Sequence, residues 1–130
     1  MSLDFDILLE QARQAAGKAY APYSGFRVGA ALLCQDGAVF TGCNVENASY
    51  SLTICAERAA VFQAVSQGRR DFLALAIYVD DDEIFPPCGA CRQVLAEFNP
   101  RLQILYANRH GSILSDLETL LPQAFILQDE

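Results

Sequence analysis

The sequence predicts an α/β protein in which a mixed sheet carries helices on its faces. Apolar residues recur with helical spacing in four segments, and apolar runs of strand-forming residues lie between these segments. The predicted order is α-β-β-α-β-α-β-(β)-α, in which the bracketed strand is short. With 130 residues the chain can enclose one hydrophobic core, so we expect a single domain over residues 1–130.

The first helix is expected over residues 4–19, with Ser2 or Asp4 as its cap. Its apolar positions follow the i, i+3, i+4 spacing of one helix face: Phe5, Leu8, Leu9, Ala12, Ala15, Ala16 and Ala19. Two strands follow, Phe26–Cys34 and Ala38–Cys43. The sequence Asp-Gly at 36–37 predicts a hairpin between them, because glycine adopts the positive φ that such turns require.

The second helix is expected over residues 55–67, and Gly68 would end it. Its apolar residues surround most of the circumference, so we expect it to be largely buried. The run Leu73–Val79 is almost continuously apolar, as in a central strand that is covered on both faces. An acidic loop, Asp80–Glu83, comes next.

The third helix should begin near Cys88, and the run Leu102–Ala107 should form another strand. Residues 113–114 fit a short edge strand. Ser115 and Glu118 have the spacing of a capping box, which predicts a last short helix.

The charge balance excludes several kinds of partner. Nine Lys and Arg against sixteen Asp and Glu give a net charge of −7, which disfavours nucleic acid and anionic membranes. The N-terminus lacks the basic residues of a signal peptide, and no apolar run approaches the ~20 residues of a membrane span. A small neutral or weakly charged partner suits this charge balance better, so we expect a small-molecule substrate. Five cysteines without an export signal are typical of reduced thiols, so we expect a cytoplasmic protein.

Three of the cysteines have the spacing of a metal site. Cys88 and Cys91 form a Cys-x-x-Cys that opens a helix, and Cys55 stands at the start of another helix. Helix N-termini favour thiolates, so three thiolates would bind one zinc ion and leave a fourth position.

The occupant of the fourth position decides between a structural and a catalytic site. His110 lies in a polar turn, and Cys34 and Cys43 lie in hairpin strands where free cysteines usually pack as small hydrophobes. If none of them reaches the metal, the fourth ligand is water, and Glu57 is placed to carry its proton. Three thiolates give the site a net negative charge, which we expect Arg58, Arg92 or both to offset by donating to the sulfurs.

The motifs C-A-E and P-C-x-x-C resemble the zinc-deaminase signature in its three-cysteine form. Four blocks, FRVGAAL (26–32), GCNVENASYS (42–51), CAER (55–58) and PCGACRQV (87–94), together resemble the short, three-cysteine cytidine deaminases. The likeness extends from AYAPYSGF (19–26) to LLPQAF (120–125). It implies a three-layer α/β/α cytidine deaminase-like fold with a mixed sheet of about five strands.

The resemblance also implies a reaction and a role for each site residue. Cytidine and deoxycytidine would be deaminated as zinc-activated water adds to C4, with Glu57 shuttling protons. Phe26 would pack on the base, Ala56 would contact it through its backbone amide, and Asn44 and Glu46 would bind the ribose hydroxyls. Short members of the family are homotetramers with shared sites, so Ala48, Tyr50 and Phe125 would reach a neighbouring subunit's pocket.

Three other functions fit parts of the pattern. A thiol-disulfide oxidoreductase would use the Cys-x-x-Cys but would leave Cys55 and Glu57 unexplained. A binding module without catalytic activity would use the zinc ion only to stabilise its fold. A deaminase of a modified cytidine or a nucleoside antibiotic would share the whole site.

Overall fold

The computed structural model describes residues 4–127 and contains one five-stranded mixed sheet. The strands are β1 (Val28–Cys34), β2 (Val39–Cys43), β3 (Phe72–Val79), β4 (Gln103–Ala107) and β5 (Ser112–Asp116). Their order across the sheet is β2-β1-β3-β4-β5, and only β3 and β4 are parallel.

Four α-helices flank the sheet: α1 (Phe5–Ala16), α2 (Ala56–Ser66), α3 (Gly89–Phe98) and α4 (Leu117–Leu120). Leu8, Ala12 and Ala16 of α1 pack on one face of the sheet. The core on the other face includes buried residues of α2, α3 and α4. The predicted α/β class, with helices on both faces of a mixed sheet, is therefore confirmed. In the described part of the chain no helix is long and apolar enough to cross a membrane.

The first helix begins as predicted and ends earlier. Asp4 caps α1 by accepting hydrogen bonds from the amides of Asp6 and Ile7, whereas Ser2 lies outside the described residues. The expected end at residue 19 is three residues too late. Tyr20 is drawn into a β-bridge, in which its amide donates to the carbonyl of Asn44, and this pairing pulls the preceding residues out of the helix.

The hairpin between β1 and β2 is confirmed. Gly37 has a φ of +90°, and Leu33 pairs with Val39 directly beside the turn. The central position of β3 is also confirmed, since seven of its eight residues are buried.

The expectation that the second helix is largely buried is wrong for this chain. Only one face of α2 is buried, through Ala56, Glu57, Ala60, Val61 and Ala64. Phe62 is 50% exposed and Val65 is 36% exposed, because the sheet covers a single side of the helix.

The last helix has a different cap from the one predicted. The Asp116 side chain accepts from the amide of Thr119, while Ser115 pairs with Ile104 inside β5. The strand therefore runs one residue past the predicted cap and leaves Asp116 at the helix start.

Gly42 sets the distance between α2 and β2. A Cβ at this position would lie 2.6 Å from both the Ala56 carbonyl oxygen and the Ala60 nitrogen. Only glycine lets the helix approach so closely. This contact fixes the N-terminal half of α2, which carries the predicted catalytic residues.

Candidate active site

A cavity of about 220 Å³ lies where the N-termini of α2 and α3 approach the same edge of the sheet. It is lined by Ser24, Phe26, Val28, Asn44, Glu46, Tyr50, Thr53, Cys55, Ala56, Glu57, Ile77, Phe85, Pro86 and Cys88. The predicted substrate, metal and catalytic residues thus provide eight of the fourteen lining residues, although they come from four separate segments.

The three predicted ligand sulfurs meet beside this cavity. Cys55 is the N-cap residue of α2 and Cys88 is the N-cap residue of α3, and their Sγ atoms are 3.8 Å apart. Cys91, in the first turn of α3, has its Sγ 3.3 Å from that of Cys88. The amide of Cys91 also donates to the Cys88 sulfur at 3.4 Å, as expected at an exposed helix N-terminus.

The donor set fits zinc. A tetrahedral site with Zn–S distances near 2.3 Å places its sulfurs roughly 3.8 Å apart. The three Sγ atoms all lie within 4.8 Å of one another. Over residues 4–127 no other Cys, His, Asp or Glu joins this cluster. This arrangement suits a metal whose fourth position is not taken by the protein.

The other candidate ligands lie in different contacts. His110 Nε2 is 2.8 Å from the carboxylate of Asp82, and the Cys43 sulfur donates to the Lys18 carbonyl at 3.5 Å. Cys34 is buried in the core under α2. The cluster also argues against a simple dithiol redox motif, because Cys55 stands within 4 Å of Cys88.

Arg58 and Arg92 have different partners. The Arg58 guanidinium donates to the Cys55 sulfur at 3.4 Å and to the Thr53 carbonyl at 3.5 Å. Hydrogen bonds from the Cys91 thiol and from this guanidinium lower the pKa of Cys55. The hydrogen bond between Cys91 and Cys55, together with burial, raises the pKa of Cys91. Arg92 instead donates to the carbonyls of Pro87 and Leu120, at 2.7 and 2.8 Å. Arg92 therefore connects the loop before α3 to the end of α4 and does not reach a sulfur.

Glu57 lies in the first turn of α2 and lines the cavity while remaining only 5% exposed. Burial, which disfavours the charged carboxylate, raises its pKa to about 7. A carboxyl group with this pKa can both accept and release a proton near neutral pH, which is what a general acid/base needs.

Asn44 and Glu46 form one side of the cavity and are both buried. The Asn44 side chain accepts from the Val28 amide at 2.9 Å and donates to the Phe26 carbonyl at 2.8 Å. Three donors lower the pKa of Glu46: the Ser24 hydroxyl, the Ser24 amide and the Tyr23 amide. Both polar side chains are therefore held rigidly at the cavity wall.

Part of the cavity wall is aromatic. The rings of Phe26 and Phe85 meet edge to face with centroids 4.9 Å apart, and both line the cavity. Ala56 is fully buried and reaches the cavity at the start of α2.

The three residues predicted to serve a neighbouring subunit differ in position. Tyr50 is 64% exposed and lines the cavity of its own chain, because the 3₁₀ turn Tyr50–Leu52 leads back to Cys55. Ala48 is exposed and does not line this cavity. Phe125 is 72% exposed and also lies away from the cavity, with its backbone held by the Gln93 side chain.

Four polar or ring-bearing residues of the lining are not among those predicted from the sequence: Ser24, Thr53, Phe85 and Pro86. Phe85 and Pro86 directly precede the Cys-x-x-Cys segment, so their place beside the ligands was a usable signal. Ser24 gave no such signal, because only the folded chain brings it to Glu46.

Comparisons with known proteins agree with this geometry. A family model described as the cytidine and deoxycytidylate deaminase zinc-binding region matches residues 5–107. A cytidine deaminase of Halalkalibacterium halodurans is 50% identical over 129 residues, which cover 98% of each chain. The crystal structure of cytidine deaminase from Burkholderia pseudomallei has a TM-score of 0.90 and 48% identity, over 95% of this chain and 100% of that one.

A blasticidin-S deaminase of Bacillus cereus is less similar, with 28% identity over 103 residues, which cover 73% of this chain and 74% of that protein. The matching fold, the three-sulfur zinc site and the family model all lead to one assignment. This chain belongs to the cytidine and deoxycytidylate deaminase family.

Proposed function

We propose that this protein deaminates cytidine and deoxycytidine hydrolytically, giving uridine or deoxyuridine and ammonia. The observation that carries the proposal is Glu57: a buried carboxyl with a pKa of about 7, beside three clustered sulfurs in an aromatic-walled cavity. Structural metal sites have no use for such a group, whereas hydrolysis needs one.

The chemistry requires an activated water and a proton carrier. When bound to Cys55, Cys88 and Cys91, zinc would activate water for addition to C4 of the pyrimidine. The Glu57 carboxylate takes a proton from that water and delivers a proton to N3 of the base. It then takes the remaining proton of the hydroxyl group added at C4 and transfers it to the amino group, so that the C4–N bond breaks, ammonia leaves and the C4 carbonyl of the product forms. One water is therefore consumed for each ammonia released.

The chain's own residues hold the substrate for this reaction. The Phe26 and Phe85 rings would enclose the pyrimidine, and Asn44 and Glu46 would bind the ribose hydroxyls. The Ala56 amide, in the first turn of α2, has no partner within its helix and would donate to the base. Excluding water from the aromatic wall strengthens these polar contacts.

The charge of the cavity favours nucleosides over nucleotides. Within the part of the chain that the structure describes, its only ionisable lining residues besides the cysteines and Tyr50 are Glu46 and Glu57, and no Lys or Arg lines it. A 5′-phosphate would meet negative charge without a compensating cation. We therefore expect CMP to be a poor substrate.

A substrate panel tests the proposal. The zinc-loaded protein is incubated with cytidine, deoxycytidine, cytosine and CMP, and ammonia release is measured. We expect turnover of both nucleosides. Activity on none of the four would contradict the proposed substrate.

Glu57→Gln tests the proton-transfer role within the same assay. The variant should keep one zinc per chain and lose at least about 100-fold in kcat, the usual contribution of a general acid/base. Glu97→Gln, an exposed position on α3, is the matched control and should keep full activity. Unchanged turnover in Glu57→Gln would refute the proton-transfer role, and a zinc-stabilised binding module would then explain the site better.

The similarity to a blasticidin-S deaminase favours a nucleoside antibiotic as the second candidate substrate. Adding blasticidin S to the panel separates the two. Faster turnover of the antibiotic than of cytidine would support this second candidate.

We also propose that the protein is a homotetramer with shared active sites, located in the cytoplasm, where its free thiols would stay reduced. Exposed apolar side chains outside the cavity support assembly: Phe62 on α2, and Phe125, Ile126 and Leu127 near the C-terminus. Ala48 and Phe125 would contact the cavity of a neighbouring copy. Tyr50, which lines the cavity of its own chain, would lie between that cavity and the cavity of the neighbouring copy.

A further inference from the structure

Ser24 connects two parts of the cavity wall through one hydroxyl group. Its Oγ donates a hydrogen bond to Oε2 of Glu46 and accepts one from the Phe26 amide at 3.0 Å. Ser24 lies in the turn just before β1, and Gly25, with a φ of +76°, lets the chain turn directly after it. The hydroxyl thus bridges the predicted sugar-binding acid and the residue that bears the base-facing ring.

The Phe26 contact fixes the direction of the hydroxyl. A serine hydroxyl has one hydrogen and two lone pairs, and it otherwise rotates freely. Because the Phe26 amide donates to the oxygen, the hydroxyl hydrogen is directed to Glu46. The Ser24 hydroxyl is therefore held in one orientation, in which it donates to Glu46.

The bonds around Glu46 leave limited room for a ligand. Its Oε1 accepts from the amides of Tyr23 and Ser24 at 2.9 and 3.0 Å, and its Oε2 accepts from the Ser24 hydroxyl. A carboxylate accepts about four hydrogen bonds, so roughly one remains for a sugar hydroxyl. The same donors lower the pKa of Glu46, so the group is an anionic acceptor at neutral pH.

We propose that Ser24 is a positioning residue for substrate recognition: its hydroxyl orients the Glu46 carboxylate so that the remaining acceptor site faces the sugar hydroxyls of the substrate. The inference rests on the proposed nucleoside deaminase function. Without the hydroxyl, Oε2 loses the one donor that it has among residues 4–127, and the carboxylate is held through Oε1 alone. Its orientation is then less well fixed, which weakens binding of the sugar without affecting proton transfer by Glu57.

The test compares Ser24→Ala with the wild type on two substrates, cytidine and 2′,3′-dideoxycytidine, which lacks both ring hydroxyls. We expect kcat/KM for cytidine to fall about tenfold in Ser24→Ala, mostly through KM, as for a lost hydrogen bond to a charged group. The value for 2′,3′-dideoxycytidine should change less than twofold, roughly the noise of such comparisons. The ratio of the two values does not depend on how much of the enzyme is folded.

Two further variants complete the design. Ser24→Thr retains a hydroxyl and should restore the cytidine preference, and Ser112→Ala, exposed on the edge strand β5, should behave as the wild type. Equal losses for both substrates in Ser24→Ala, or no loss for either, would overturn the inference. Wild-type inactivity on both substrates would instead overturn the proposed function, so the two failures are distinguishable.

Discussion

Arg58 connects a metal ligand to the chain segment that precedes it. Its guanidinium donates to the Cys55 sulfur and to the Thr53 carbonyl, two residues earlier. Three thiolates around one divalent metal leave a net negative charge, and a cation that donates to a sulfur offsets part of it. We therefore expect this contact to orient Cys55 and, when zinc is bound, to offset part of the negative charge of the three thiolates.

Replacing Arg58 with alanine should loosen the metal. We expect Arg58→Ala to lose zinc to a competing chelator about 10–100 times more readily, the usual effect of removing a partner of a metal ligand. The measurement is the equilibrium zinc content per chain at increasing chelator concentration. Arg101→Ala, whose guanidinium is exposed, is the control and should match the wild type. Equal zinc retention in both variants would contradict the role assigned to Arg58.

The two arginines also show how far a sequence predicts contacts between single residues. Arg58 and Arg92 both follow cysteine motifs at helix starts, so the same argument applied to each. The direction of Arg92 depends on the Leu120 carbonyl, 28 positions along the chain, which presents a strong acceptor at the end of α4. Local spacing identified the cysteines and Glu57, but it carries no information about an acceptor supplied by a distant element.

At the level of elements, the close approach of α2 to β2 controls where the proposed catalytic residue Glu57 and its neighbours lie. Gly42 faces the Ala56 carbonyl and the Ala60 amide without any intervening side chain. The helix that bears Cys55, Glu57 and Arg58 rests on this contact, so its position relative to α3 depends on the absence of a Cβ.

Gly42→Ala should therefore displace α2. We expect the free energy of unfolding to fall by about 1–3 kcal/mol, as for overpacked interiors, together with a loss of zinc affinity. Urea unfolding and zinc content are the two measurements. Gly111→Ala is the matched control, since a Cβ there meets nothing within 4 Å. A Gly42→Ala protein with normal stability and zinc content would show that α2 is not held in this way.

The cap of α4 gives a second prediction for an element. Asp116→Ala removes the acceptor for the Thr119 amide and should cost about 1 kcal/mol, whereas Ser115→Ala should cost much less. Thermal or urea unfolding of the two variants measures the difference. A larger loss of unfolding free energy in Ser115→Ala than in Asp116→Ala would support the capping box predicted from the sequence instead.

The sequence predicted the elements well and their ends less well. Periodicity identifies α1 and α2, and the Asp-Gly pair identifies the hairpin, because these signals are local. The end of α1 and the cap of α4 depend instead on β-pairing: Tyr20 bridges to Val45, and Ser115 pairs with Ile104. Which residue leaves a helix to join a strand is decided by the partner strand, and the partner is remote in sequence.

For the molecule as a whole, the proposed sharing of active sites can be tested by mixing subunits. Glu57→Gln chains and Phe125→Ala chains should each be nearly inactive alone. Co-expressed, they should regain about a quarter of wild-type activity, because some sites combine an intact Glu57 with a neighbour's intact Phe125. The activity of purified mixed tetramers, whose composition is checked by native mass spectrometry, is the measurement. Mixed tetramers without recovery would show that Phe125 does not complete a neighbour's site.

The burial of Glu57 has a further consequence, for folding rather than for catalysis. A carboxyl group that is 5% exposed beside apolar neighbours gives up most of its hydration when the chain folds. The protein keeps this unfavourable group buried at the cavity wall, next to the fully buried Ala56 and Ala60. Thermostabilising selection that ignores turnover should therefore accumulate neutral replacements at position 57, and the enzyme would gain melting temperature as it lost its reaction.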